Sequence, residues 1–376
     1  MLKLDENKKS KDISVEILRI IAIFMVIGTH IALPYFMDNT FYKDRIVISC
    51  FVGDGVAIFW VIMGFFYFNN QDYKSKIKKM SKKIMLPLII WSIIFFYFYR
   101  YISGEQTIAG TFIHSGEEYI SLLFDGILKW QNVIDGAEHF WFLYIYILLV
   151  ISFPILNKIR EWIDKLDPRK TIISILGLLI VNDIGKNQLM NFSHYGLNGM
   201  IAATLLLFLG YILYKNKENI KFKNSIAVIS IIVFIIINVL RSYVLYNNVI
   251  VNLDDRNVVF WYSAFGFINT IILYYIVNCF SLKIKSLKLN LIIQNIGDNV
   301  FYIYIIHPLI IAFFNSCGIR KKILNFLDTV NCKVIIYQII YTFLVFAFSF
   351  ILSEIYVLIK KLIKETKANN KIKKYI

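Results

Sequence analysis

The chain has 376 residues, 58% of them apolar and 16% aromatic, and a formal net charge of +16. A soluble protein of this length needs a polar surface that such a composition cannot supply, and apolar stretches of about 20 residues, enough to cross a ~30 Å hydrocarbon core, recur along the whole sequence. The Lys and Arg excess sits in short segments between those stretches, which is the pattern of a membrane protein rather than of a nucleic-acid binder.

In lipid the backbone must satisfy its own hydrogen bonds, so long apolar stretches read as helices. The pattern predicts an all-α polytopic membrane helix bundle of about ten transmembrane helices, over 17–37, 47–69, 84–102, 139–157, 171–185, 197–214, 225–245, 258–280, 293–314 and 333–359. The chain reads as one domain over 1–376, with no second domain. Ionisable groups inside spans are costly and are functional candidates by default.

The first span, EILRIIAIFMVIGTHIAL, is too long for a signal peptide and has no small-residue cleavage site after it, so it reads as a retained helix. It carries Arg19 and His30. Eleven residues make three turns plus about 20°, so both side chains share a face, about 16 Å apart along the axis. The second span holds Asp54 between Gly53 and Gly55, roughly 10 Å below its outer end. A carboxylate at that depth beside the His30 imidazole would orient it as a general base. The competing reading makes Asp54 a loop residue before the helix starts.

Segment 103–138 carries Gly, acidic residues and few long apolar runs, and reads as the one large loop. Glu138 and His139 follow at the mouth of the fourth span, and His307-Pro308 lies in the ninth, with His307 about 21 Å from that helix's inner end. His30, Asp54 and His307 are therefore expected at similar depth, with Glu138 and His139 just above and Arg19 below. His30 and His307 taken alone are equally well read as packing residues, and Glu138-His139 as a solvated helix start. The four cysteines show no metal-ligand spacing, and no metal is expected.

Charge sets the orientation. With the N-terminus inside, segments 1–16, 70–83, 158–170, 215–224, 281–290 and 360–376 hold 29 of the 41 Lys and Arg, and Arg19 makes 30. That bias puts both termini in the cytoplasm and makes 103–138 extracytoplasmic. The basic tail 360–376 is expected to lie against anionic lipid. Richness in Lys, Ile, Asn, Tyr and Phe with little Ala points to an AT-rich bacterial genome, hence a bacterial cytoplasmic membrane.

At these residues the sequence resembles the acyltransferase-3 family of integral membrane acyltransferases. Arg19 and His30 match that family's Arg-x10-His in the first helix, led in by Glu16-Ile17-Leu18. FWVIMGFFY (59–67) resembles its second-helix pattern, with Met63 where Ser is common. HFWFLYIYILL (139–149) resembles its fourth-helix stretch, and FYIYIIHPLI (301–310) its late His-Pro element.

The resemblance implies transfer of an acyl group, acetyl being the first expectation, from cytoplasmic acyl-CoA. The acceptor would be a hydroxyl or amine of an extracytoplasmic glycan or lipid-linked sugar. It implies His30 as base or transient acyl carrier, Asp54 orienting it, and Arg19 positioning CoA. His307, Glu138 and His139 would bind the acceptor or shuttle protons. Two alternatives stand beside this: a transporter or exporter of a polysaccharide or small solute, and a non-catalytic membrane module. Neither clear inverted halves nor paired Gly/Pro-interrupted helices speak for transport.

Overall fold

A computed structural model describes residues 11–32, 42–69, 72–102, 118–122, 136–188, 197–251, 263–327 and 333–372. The principal elements are α1 (Ile13–Ala32), α2 (Tyr42–Val52), α3 (Gly55–Tyr67) and α4 (Tyr73–Met80), the last continuing through a π-helical turn (Ser81–Met85) into α5 (Leu86–Ile102). A 3-10 turn (Glu138–Phe140) leads into α6 (Trp141–Ile151), followed by α7 (Phe153–Ile163), α8 (Pro168–Gln188), α9 (Leu197–Lys215) and α10 (Asn224–Val251). The remainder is α11 (Ser263–Ser281), α12 (Leu287–Ser316), α13 (Ile319–Phe326) and α14 (Lys333–Ile372), so the described chain is all-helical.

Among the described residues seven helices are long and apolar enough to cross a bilayer, or eight if the bent pair α6 and α7 is one span. All ten predicted segments contain helix, but α8 and α9 fall short of that count. Polar residues from Asn182 to Gln188 shorten the apolar run of α8, and the apolar part of α9 is only Gly199–Lys215. Two predicted spans are also broken. Segment 47–69 divides at Gly53–Asp54 into α2 and α3, and 139–157 turns by 73° at Ser152. Pro154 at the start of α7 suits that break, because a proline N–H is not missed in a first helical turn. The predicted loop 103–138 lies largely outside the described residues, as do 1–10 and 373–376.

Helix α1 is the axis of the bundle, packed by α2, α3, α11, α12 and α14. Ala22, Ile23 and Ile27 on it are fully buried. The tightest contact elsewhere is α3 against α9. A Cβ at Gly64 would stand 2.0 Å from the Leu207 carbonyl oxygen, and one at Gly210 would stand 1.9 Å from that of Val61. Without side chains at these two positions the backbones touch, which is how helices associate where lipid offers no hydrophobic gain. Apolar residues left exposed on α5, α8, α10 and α14, such as Ile94, Ile173, Val228 and Phe343, form the surface that lipid would cover.

Several of the basic segments meet at one end of the bundle. Lys217 pairs with Asp12, joining 215–224 to the start of the chain. Lys215 and Arg160 both pair with Asp164. Lys76 lies 4.3 Å over the Phe153 ring, and its ammonium donates to the Tyr67 carbonyl. Burial works to raise the Asp12 carboxyl, but hydrogen bonds from Lys217 and Ser14 outweigh it and hold the group below the usual carboxylate range. Asp164 is lowered in the same way, the Lys215 and Tyr211 hydrogen bonds overcoming desolvation.

Candidate active site

Three imidazoles meet away from that basic end. His30 comes from the last turn of α1, His139 from the 3-10 turn before α6, and His307 from α12. Ring centroids are 5.0 Å apart for His30 and His307, 5.5 Å for His139 and His307, and 6.2 Å for His30 and His139. His139 is 3% exposed and His307 0%. The Nε2 atoms of His139 and His307 are buried with no hydrogen-bond partner among the described residues. A buried polar atom without a partner costs on the order of 1–3 kcal/mol, so two in one cluster make this a candidate binding site. Among the described residues no group of three His, Cys, Asp or Glu is arranged to hold a metal ion.

Helix α12 brings His307 there by running alongside α1 in the same direction. Gly297, in the second quarter of α12, lies against Glu16 in the first turn of α1, where a Cβ would stand 2.0 Å from the Glu16 carboxylate. Ten residues on, about 15 Å along the helix, His307 lies against His30. The His307 Nδ1–H donates to the Tyr304 carbonyl at 2.7 Å, with a longer 3.3 Å approach to the Ile303 carbonyl. Tyr304 in turn donates its hydroxyl to the His139 carbonyl, and its ring lies 5.4 Å from the His139 ring.

Arg19 stands toward the opposite end of α1. Its Nη1 donates to both oxygens of Glu16 at 3.1 and 3.3 Å, and its guanidinium lies 5.9 Å over the Phe66 ring. The side chain of Glu16 is 4% exposed and that of Arg19 31%, so the carboxylate is the fixed anchor and the guanidinium the accessible group. Arg19 opens on a cavity of about 310 Å³ lined also by Asp298, Phe59, Phe142, Phe301 and Tyr304. Its walls are mainly apolar, with Arg19 and Asp298 as the charged lining residues. Tyr304 also lines it, with its ring 5.4 Å from that of His139 and 6.0 Å from that of His307.

The expected constellation is thus assembled in part. His30, His139 and His307 converge, and α1 carries Arg19 and His30 as the spacing implied. Glu138 does not join them: it is exposed and accepts from the Gly136 N–H at 3.1 Å, while its neighbour His139 turns inward. Asp54 is also elsewhere. Its carboxylate accepts from Arg241 Nη1 at 3.1 Å on both oxygens and from Asn269 Nδ2 at 2.6 Å. Asn269 bonds Asn238 in turn, making a buried polar cluster of α3, α10 and α11. The Gly53–Asp54 break turns that carboxylate toward α10, so an Asp54–His30 couple is replaced by an Asp54–Arg241 ion pair.

Sequence reasoning passed over Arg241, Glu16 and Tyr304 as site residues. Arg241 had a readable signal, a charge inside the span expected over 225–245. The helix runs on to Val251 and buries it. Glu16 and Tyr304 had none beyond their place in the motifs.

No curated protein and no solved structure matches this sequence. A family model described as an acyltransferase domain matches residues 12–354, which includes Arg19, all three converging histidines and the residues that line the cavity. The chain belongs to the acyltransferase-3 family, and its apolar helices make it a membrane acyltransferase.

Proposed function

We propose that this enzyme takes an acyl group, acetyl first among candidates, from cytoplasmic acyl-CoA and delivers it to a hydroxyl or amine of an extracytoplasmic glycan or lipid-linked sugar. The observation that carries the reading is α1 itself, with Arg19 lining a cavity and His30 in an imidazole cluster, about 16 Å apart. CoA has its phosphates at one end of an extended arm and its thioester at the other, and this separation suits it. The gathering of Lys and Arg at the Arg19 end supports placing that end in the cytoplasm of a bacterial cell.

In this reading Arg19 binds the anionic end of CoA through charge-assisted hydrogen bonds. Glu16 engages one of its nitrogens among the described residues, which fixes the guanidinium and leaves donors for phosphate. The apolar walls of Phe59, Phe142 and Phe301 take the arm. At the far side the acceptor oxygen or nitrogen bonds to the thioester carbon while an imidazole removes its proton. The C–S bond breaks, and the CoA thiolate departs toward Arg19. His30 serves as that base, or holds the acyl group between two such transfers, with His139 and His307 against the acceptor.

The test supplies purified protein in membranes with radiolabelled acetyl-CoA and reads label on extracted surface glycan. Wild type should transfer, and His30→Ala should lose at least ~10²-fold, the scale of a positioned base. Equal labelling by the variant would remove His30 from the mechanism. Absence of transfer from any acyl-CoA, together with solute flux into vesicles, would favour an exporter.

A further inference from the structure

Pro308 follows His307 inside α12 and is buried. In a regular α-helix the Ile303 carbonyl takes the N–H of residue 307, and the Tyr304 carbonyl takes that of residue 308. Proline has no N–H to give. The imidazole responds accordingly: His307 Nδ1 is 2.7 Å from the Tyr304 carbonyl, the one Pro308 cannot serve, and 3.3 Å from that of Ile303. A carbonyl can only accept, so Nδ1 must carry the proton. In a neutral ring the lone pair then resides on Nε2, the atom that is buried without a partner beside His30 and His139.

We infer that Pro308 is a positioning residue: by withholding a backbone donor it makes the Tyr304 carbonyl the anchor for His307 Nδ1–H, and so presents the Nε2 lone pair to the cluster as a proton acceptor. This rests on the reading of the cluster as the site of acyl transfer for its purpose, though not for its geometry. His307, rather than His30, is then the imidazole whose tautomer is fixed by the backbone. The proton that His30 takes from the acceptor then has a defined next acceptor there. An alanine at 308 would restore the N–H and set it in competition with the ring for the same carbonyl.

The experiment is nitrogen NMR of protein carrying 15N-labelled histidine in lipid bilayers, which distinguishes the two neutral tautomers without requiring activity. The chain has five histidines, so the His307 signals are assigned by their loss in His307→Asn. Wild type should show His307 as the Nδ1–H form, and Pro308→Ala should move it toward the Nε2–H form. In parallel kcat should fall at least about tenfold, a share of what a positioned base supplies, with KM for the acyl donor unchanged. Nε2–H in wild type, or an unchanged tautomer in the variant, would overturn the inference.

Should Pro308→Ala not fold, a second pair decides. The amide of His307→Asn can replace Nδ1–H against the Tyr304 carbonyl, whereas His307→Gln reaches past it. Asn should keep the wild-type melting temperature and Gln should not, and the reverse order would overturn the inference. If the tautomer is as stated but no acyl transfer occurs from any donor, the functional proposal fails and the positioning stands.

Discussion

Tyr304 links the two halves of the site, because it lines the cavity and its hydroxyl donates to the His139 carbonyl. Tyr304→Phe keeps the wall and removes one hydrogen bond, so it should cost about 1 kcal/mol of stability and leave KM for the acyl donor near wild type. Thermal unfolding in detergent and steady-state kinetics check the two parts. At this scale the three histidines were legible in the sequence, since each is an ionisable group within or beside an apolar span. The partner of Asp54 was not. Periodicity says which residues of one helix share a face, but not how that helix is rotated against its neighbours. Asp54 and His30 at matched depth were therefore compatible with contact, and the chain instead turns Asp54 to Arg241.

The Asp54–Arg241 pair belongs to the helices it joins. Both side chains are at most 4% exposed, and removing one charge of such a pair strands the other in a low-dielectric interior. Asp54→Ala should destabilise the protein by about 3–5 kcal/mol, seen as a large fall in the unfolding midpoint. Replacing Asp54 and Arg241 together with apolar residues should recover much of that loss. A full-stability Asp54→Ala enzyme with lost transfer activity would instead return Asp54 to the chemistry. The α3–α9 contact makes a sharper comparison. Gly210→Ala must push the backbones apart and should destabilise, whereas Gly177→Ala meets nothing within 4 Å on α8 and should be neutral or stabilising by up to about 1 kcal/mol. Helix existence was readable throughout, from apolar runs alone. The break at Gly53–Asp54 was open as the competing reading of Asp54 as a loop residue between two glycines, and α3 does start at Gly55; the bend at Ser152 was not read, because it does not interrupt the hydropathy on which the spans were drawn.

For the whole molecule, the charges at the basic end tie distant segments together. Asp12 and Asp164 both titrate below their ordinary range in the folded protein. A carboxylate depressed on folding contributes stability above its unfolded pKa, near 3.9 for Asp. That contribution is lost as pH falls through the folded value. The unfolding midpoint should therefore drop as pH falls below about 4, and Asp12→Asn should flatten part of the drop. An acid limb identical to wild type in that variant would mean that the Asp12–Lys217 pair holds nothing together. The sequence could assign these segments to one side by counting charge, yet it could not name which Lys meets which Asp, because those pairs span more than 200 positions in one case and about 50 in the other.

The 73° bend between α6 and α7 bears on where catalysis can occur. Helix α7 leaves Ile155 and Trp162 more than half exposed beside charged Lys158 and Glu161, the make-up of a segment floating at a lipid headgroup layer. Helix α6 is then a strut of fixed height standing on that float, eleven residues or about 16 Å tall, with His139 at its tip. One residue inserted into the strut would lift the tip by about 1.5 Å and swivel it by about 100°, carrying that imidazole away from the other two. Bilayer thickness, which the other crossing helices can accommodate by tilting, would leave the height of this one ring above the headgroups unchanged.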